Sequence, residues 1–287
     1  GKLRKEQYLY RLVEEAVELA ETFKWQDVYG DSSLKHWSIL TDGQKNLLIE
    51  IANNKVGKGY STKQANIKKI RDAARKKISV DKEIEKVVQT ISHDEILQNQ
   101  QTEGDIQFDA VDDLSPNIAL NEAEIPSSDL IIGQLVIPAI KMNLPIYKSL
   151  NNTSLMAGSA VLRNDMVMGQ GNYALAGHYT HTSDYLFGPL RHLEMNQVAR
   201  ITDKNKIYEY QMIHQAVVPP TALHMIEDEQ MDRFEGPILS LMQCYYTNYQ
   251  NTGDRQFFIG ELRDVYDYDE DLLHANGFYN QLSIVNN

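Results

Sequence analysis

The spacing of apolar residues changes character twice along the chain. Across 3–24, Leu9, Leu12, Val13, Ala16, Leu19, Ala20 and Phe23 recur at intervals of three and four, the stripe of an amphipathic helix. Gly30-Asp31-Ser32-Ser33 interrupts the stripe. Thr41-Asp42 then offers a cap for a helix over 44–54 carrying Leu47, Leu48, Ile51 and Ala52, and Ser61 caps a third running to Lys77 with Ile67, Ile70 and Ala74 inward. Residues 1–79 therefore read as a small all-α domain. From 80 to 129 the pattern fades into a polar, acidic linker with Pro116 and Pro126, in which Ser92 and Glu95 have the spacing of a capping box for a short helix over 92–100. From Leu130 the pattern becomes that of strands: 130–140, 144–147, 173–177, 197–202, 207–218, 238–244 and 256–265, separated by turns such as Asp203-Lys204-Asn205 and Pro219-Pro220. Seven or eight short strands with a few helical turns predict a mainly β fold, a closed barrel over 130–265, followed by an acidic tail over 266–287.

Length and charge agree with a division into modules. A chain of 287 residues is long enough for two domains. Residues 1–80 hold 16 Lys and Arg against 10 Asp and Glu, whereas 81–287 hold 12 against 30. So acidic a barrel is a poor match for nucleic acid, whose phosphates require concentrated positive charge. The basic helix over 61–77 leaves a second class of reading: a binding module whose helical domain contacts nucleic acid or an anionic surface. A solvated face is the simpler account of its cations. No stretch approaches the ~20 apolar residues that span a bilayer. Lys2-Leu3-Arg4-Lys5 opens a charged helix rather than a secretory signal.

The candidate chemistry lies at the edges of the strand-like runs. Cys244, the only cysteine, ends the run Pro237-Ile238-Leu239-Ser240-Leu241-Met242-Gln243. His178 ends the run Asn172-Tyr173-Ala174-Leu175-Ala176-Gly177, and Arg255 opens Gln256-Phe257-Phe258-Ile259-Gly260-Glu261-Leu262. A thiol, an imidazole and a guanidinium are the parts of a cysteine acyl-transfer site. The competing account of the cysteine alone is an inert core residue, since free cysteine is most often buried. A single thiol closes no internal disulfide and makes a poor structural zinc site. His181, His192, His214 and His224 lack the spacing of zinc ligands, so no metal and no cofactor are expected.

These residues carry a resemblance. Leu175-Ala176-Gly177-His178, and the Leu-x-x-Cys ending at Cys244 followed by an Arg-headed strand, resemble the sortases, the transpeptidases that attach proteins to Gram-positive cell walls. Gly133-Gln134-Leu135-Val136-Ile137-Pro138-Ala139-Ile140, Asn143-Leu144-Pro145-Ile146-Tyr147, Gly169-Gln170-Gly171-Asn172 and Leu186-Phe187-Gly188-Pro189-Leu190 agree with that family in order and spacing, over about 130–263. The resemblance is to a class A-like sortase. It implies a nucleophile at Cys244, a general acid/base at His178 and an oxyanion- or substrate-stabilising group at Arg255. It further implies cleavage of a Leu-Pro-X-Thr-Gly sorting signal between Thr and Gly, a thioester on the enzyme, and transfer to an amine of lipid II or another cell-wall precursor. Surface proteins bearing that signal are the implied partners.

The loop over 219–237 falls where the family binds the Leu-Pro part of the signal. Ala222, Leu223, Met225 and Ile226, with Ser240, are the implied substrate-binding residues; an amphipathic helix packed on the barrel is the competing account of the loop. The family's usual membrane anchor is expected in the native form, at the extracellular face of the membrane, with 1–79 as a fusion or a replacement for it. A pilus-polymerising sortase, which uses a pilin lysine as acceptor, is the alternative; Asp112-Asp113-Leu114-Ser115-Pro116 vaguely resembles the lid of that class. Two departures stand out. Gln243 and Ser240 occupy positions where the family commonly has Thr, and 141–164 lacks the carboxylates of the calcium-binding members, so no calcium dependence is expected.

Overall fold

The computed structural model describes residues 81–111, 125–179, 186–247 and 250–277. Eight strands run along this part of the chain: β1 (Ile131–Ile137), β2 (Met142–Tyr147), β3 (Ser159–Val161), β4 (Asn172–Ala176), β5 (Val198–Thr202), β6 (Lys206–Val218), β7 (Ile238–Thr247) and β8 (Gln250–Asp267). They close into a barrel in the order β1-β2-β3-β4-β7-β8-β6-β5. Two pairings are parallel, β2 with β3 and β4 with β7, and the others are antiparallel. A parallel pair cannot be joined by a hairpin. The chain therefore crosses from β2 to β3 through the helix Asn152–Ala157, and from β4 to β7 by way of β5, β6 and two 3-10 turns, Leu223–Ile226 and Asp228–Arg233.

Leu135, Ile137, Ile146, Tyr173, Leu175, Ile201, Tyr210, Met212, Leu239, Leu241 and Phe258 fill the interior. Side chains alternate across a strand, so the remaining β7 set, Ile238, Ser240, Met242 and Cys244, points outward. It too is buried, which explains why this strand reads as a nearly continuous apolar run rather than an alternating one.

The mainly β barrel agrees with the sequence reading, with two differences of extent and two of role. β3 is additional: three residues are too short for a period to be read. β8 begins at Gln250, since the polar 250–255 gains its strand geometry from pairing with β7 and β6. The stretch from 266, expected as a solvated tail, continues β8 to Asp267 and forms the helix Glu270–His274. Leu273 is wholly buried against Val136 and Ile207. Arg200, paired with Glu209 at 2.7 Å, donates to the carbonyls of Leu273 and Ala275. The region expected as linker also belongs in part to the barrel. The capping box of Ser92 and Glu95 is formed on the helix His93–Asn99. Asn99 Nδ2 donates to the carbonyls of Ser128 (2.9 Å) and Ile131 (2.8 Å), and Lys148 Nζ donates to Asn99 O and Thr102 Oγ1, both at 2.7 Å.

The chain divides into two units. One gathers Lys86–Asp113, Pro126–Tyr179 and Asp184–Asn287; the other gathers Gly1–Glu85, Leu114–Ile125 and Thr180–Ser183. The three helices expected within 1–79 and the segment Asp112–Pro116 lie outside the described residues. No helix among the described residues is long and apolar enough to cross a membrane.

Because the C-terminal helix packs Leu273 into the fold, Leu273→Ala should cost about 2–5 kcal/mol, the range for truncating a buried leucine. Urea unfolding checks this, and an unchanged midpoint would show that the helix does not hold the barrel.

Candidate active site

β4, β7 and β8 are neighbours, and their registers fix the site. In the antiparallel pair Cys244 stands directly opposite Arg255, a placement that brings Cβ atoms to about 5 Å. In the parallel pair Ala176 stands beside Met242, and Gly177 N–H donates to Met242 O at 3.1 Å. His178 is two residues beyond Ala176, just past the end of β4, and Cys244 is two beyond Met242, still within β7, so both lie toward the same end of the parallel pair. The Phe187 N–H donates to the His178 carbonyl at 3.1 Å. The 3-10 turn Gly188–His192, preceded by wholly buried Phe187, thus holds the histidine backbone as β4 ends. Arg255 Nη1 donates to the carbonyls of Gly253 (3.0 Å) and Asp254 (3.5 Å), which turns the guanidinium toward its own hairpin. Beyond the three residues, the rings of Tyr179 and Tyr246 stack at 5.0 Å and tie the segment after His178 to β7 past Cys244.

Burial decides the electrostatics. Cys244 is 5% exposed and His178 4%, while Arg255 is half-buried. Desolvation pushes the His178 pKa down to about 4, because a buried ring resists taking a charge. Its Nε2 is buried and makes no hydrogen bond. The imidazole is therefore neutral at neutral pH.

The other residues singled out from the sequence are placed differently from one another. Leu223 is 60% exposed and Ala222 half-buried, but Met225 and Ile226 are buried within the turn Leu223–Ile226. The loop is a pair of 3-10 turns rather than an amphipathic helix. Ser240 is wholly buried, and its hydroxyl donates to Asn172 Oδ1 at 2.7 Å. It offers no free surface to a peptide in this structure; its bond is spent on the neighbouring strand. Gln243, 1% exposed, donates from Nε2 to Gln256 Oε1 at 3.0 Å on the inward face, away from the thiol. His214 sits edge-on to Phe234 at 6.2 Å. His181 lies outside the described residues. Among the described residues no three His, Cys, Asp or Glu side chains gather as metal ligands. Asn172 was overlooked in the sequence, although an Asn heading an apolar strand run is a signal, because that residue type is depleted in strands.

The sortase domain family model matches residues 135–263. Sortase A of Listeria monocytogenes is 28% identical over 150 residues, which cover 52% of this chain and 65% of that protein. Sortase A of Streptococcus agalactiae is 34% identical over 147 residues, covering 49% and 59%. The chain thus spans about three fifths of the length of these curated relatives. Among solved structures, Listeria monocytogenes sortase A aligns with a TM-score of 0.44 at 26% identity, over 51% of this chain and 99% of that one. Sortase C-3 of Streptococcus pneumoniae aligns with a TM-score of 0.47 at 19% identity, over 66% and 92%.

The depressed His178 pKa has a signed consequence. The unfolded chain takes up this proton near the ordinary value of 6.5, whereas the folded chain takes it up only near 4. The folding stability tied to the neutral ring is complete above about pH 6.5 and is lost as pH falls from there toward 4. A histidine NMR titration should give His178 a midpoint far below those of exposed histidines; a midpoint at 6.5 or higher would mean that the ring is solvated or paired with an anion.

Proposed function

The chain belongs to the sortase family over residues 135–263, and on that footing we propose that it is a cysteine transpeptidase of the Gram-positive cell surface. Its substrate is a Leu-Pro-X-Thr-Gly sorting signal, cleaved between Thr and Gly, and its acceptor is an amine of lipid II or a related cell-wall precursor. The observation that carries this reading is the register that sets Cys244 opposite Arg255 and toward the same end of the parallel pair as His178.

The steps follow from the properties of the three groups. The Cys244 thiol passes its proton to the neutral His178 ring as the sulfur attacks the Thr carbonyl carbon. The carbonyl oxygen becomes an oxyanion, which the Arg255 guanidinium stabilises with its planar fork of N–H donors. The imidazolium returns the proton to the departing Gly amine, the C–N bond breaks, and a thioester to Cys244 remains. An acceptor amine then gives a proton to His178 while its nitrogen attacks the thioester. The second tetrahedral intermediate expels the sulfur, which recovers the proton, and the Thr carboxyl is released as a new amide. Burial assists both halves. A desolvated imidazolium is a strong acid, so the proton it briefly holds is readily donated to the leaving group.

The test is to mix the protein with a Leu-Pro-X-Thr-Gly peptide and a short amine, then look by mass spectrometry for an adduct on Cys244 and a transpeptidation product. Cys244→Ala and His178→Ala should each abolish product. Arg255→Ala should lower kcat by about 10²–10³, the cost of losing an oxyanion donor, with much less change in peptide binding. An unchanged kcat in that variant would remove Arg255 from the chemistry, and an unlabelled Cys244 in the intact protein would remove the transpeptidase reading.

A further inference from the structure

A second set of polar side chains joins the strands of the site to the turn beyond β6. Asn172, wholly buried at the head of β4, is bonded through both ends of its amide and through its backbone N–H. Nδ2 donates to the carbonyls of Met225 (3.0 Å) and Glu227 (3.1 Å), Oδ1 accepts from Ser240 on β7 at 2.7 Å, and its backbone N–H donates to Asp228 Oδ1 at 3.0 Å. One side chain thereby links the strand of His178, the strand of Cys244 and the turn Leu223–Ile226 that carries exposed Leu223. An outer latch closes over it. Arg163 donates from Nη2 to Asp228 Oδ1 at 2.7 Å and from Nη1 to Glu227 Oε2 at 2.9 Å, and its Nε lies 3.3 Å from Asp165 Oδ1. Asp228 is held below the usual carboxylate range, first by the Asn172 N–H and then by Arg163. Gly171 leaves room for the latch. Its φ is +53°, and a Cβ there would come within 2.4 Å of Asp228 Oδ1.

The network is too remote to take part in bond-making. At about 3.3 Å per strand residue, Ser240 sits roughly 13 Å before Cys244. Its effect on a reaction can therefore pass only through the position of the turn. Resting on the peptide-transfer reading above, we propose that Asn172 is a positioning residue, seconded by Ser240 and the Asp228–Arg163 latch, which holds the Leu223 turn at a fixed distance from the catalytic strands and so sets how tightly the sorting peptide is bound. Removing it leaves two loop carbonyls and the Ser240 hydroxyl without their partner, and the turn is freed to leave the barrel wall. The reacting groups, held by the registers of β4, β7 and β8, stay where they are.

Asn172→Ala should raise KM for a Leu-Pro-X-Thr-Gly peptide about tenfold, the scale of one to two lost buried hydrogen bonds, while kcat stays within about twofold and iodoacetamide alkylates Cys244 at the rate of the unsubstituted protein. Asp228→Asn, at a side chain 59% exposed and thus safe for folding, should raise KM by about threefold for the weaker outer bonds. Gly171→Ala should act in the same direction without deleting any hydrogen-bonding side chain. A fall in kcat at unchanged KM, or no change in either, overturns the proposal; should Asn172→Ala fail to fold, Asp228→Asn decides by the same criterion. Hydrogen exchange separates this failure from failure of the transpeptidase reading. If the intact protein forms no peptide adduct, selectively faster exchange over 222–233 in Asn172→Ala still supports the fastening, and unchanged exchange there overturns it.

Discussion

The site depends on the parallel pairing of β4 with β7. Two parallel strands run in the same direction, so the positions two residues beyond Ala176 and Met242, His178 just past β4 and Cys244 still within β7, lie toward the same end of the pair. An antiparallel pairing would have put them at opposite ends of the barrel. The arrangement requires closing the long segment between the two strands, and loop-closure entropy grows only logarithmically with length. That segment is also folded: β5 and β6 complete the barrel, so its ordering contributes apolar burial of its own. Arg255 reaches the pair by the opposite device, an antiparallel hairpin that sets it across from Cys244. Backbone pairing alone therefore brings three positions dispersed in sequence onto neighbouring strands.

The same pairing governs the charge state of the site. A thiolate and an imidazolium in a buried position would each bear a desolvation cost, and a resting ion pair there gains little net stability. Burial instead keeps His178 neutral. In the proposed transfer, charge separates only as the sulfur attacks a substrate carbonyl, with Arg255 as the group proposed to stabilise the oxyanion. Arg255 is only half-buried, and its guanidinium donates to carbonyls of its own hairpin.

The sequence reveals whatever repeats or is punctuated. The seven apolar runs, the Ser92 cap and the residues at the run edges all follow from period, capping chemistry and the identity of a few reactive side chains. What it hides has physical reasons. β3 is too short to show a period, and 250–255 is polar because it is a hairpin whose strand character comes from its partners. Leu273 anchors the C-terminal helix as one apolar residue in an acidic stretch, which composition alone assigns to solvent. Ser240 is a peptide contact only by resemblance, because it holds a position where the family commonly has Thr. Outward-facing on β7 does not mean exposed, however: Ser240 is wholly buried and bonded to Asn172. Asn172 was lost for a related reason: it was read as the first letter of an apolar run, whereas its role is visible only once the carbonyls of Met225 and Glu227 are in place.

Strand alternation also settles what Gln243 does beside the nucleophile. A residue adjacent to Cys244 in sequence lies on the opposite face of β7, on the side of Leu239 and Leu241, and its amide donates to Gln256 across the hairpin. The departure from the Thr common in the family therefore changes the end of the barrel interior, not the surroundings of the sulfur. Its Oε1 is buried without a partner, a local cost of the kind that burial of an unsatisfied acceptor carries. Along β7 the inward residues thus stabilise the barrel, while among the outward ones Ser240 fastens Asn172 of the neighbouring strand and Cys244 stands opposite Arg255 in the register. Substitutions on the two faces should accordingly separate, inward ones into stability and outward ones into binding or turnover.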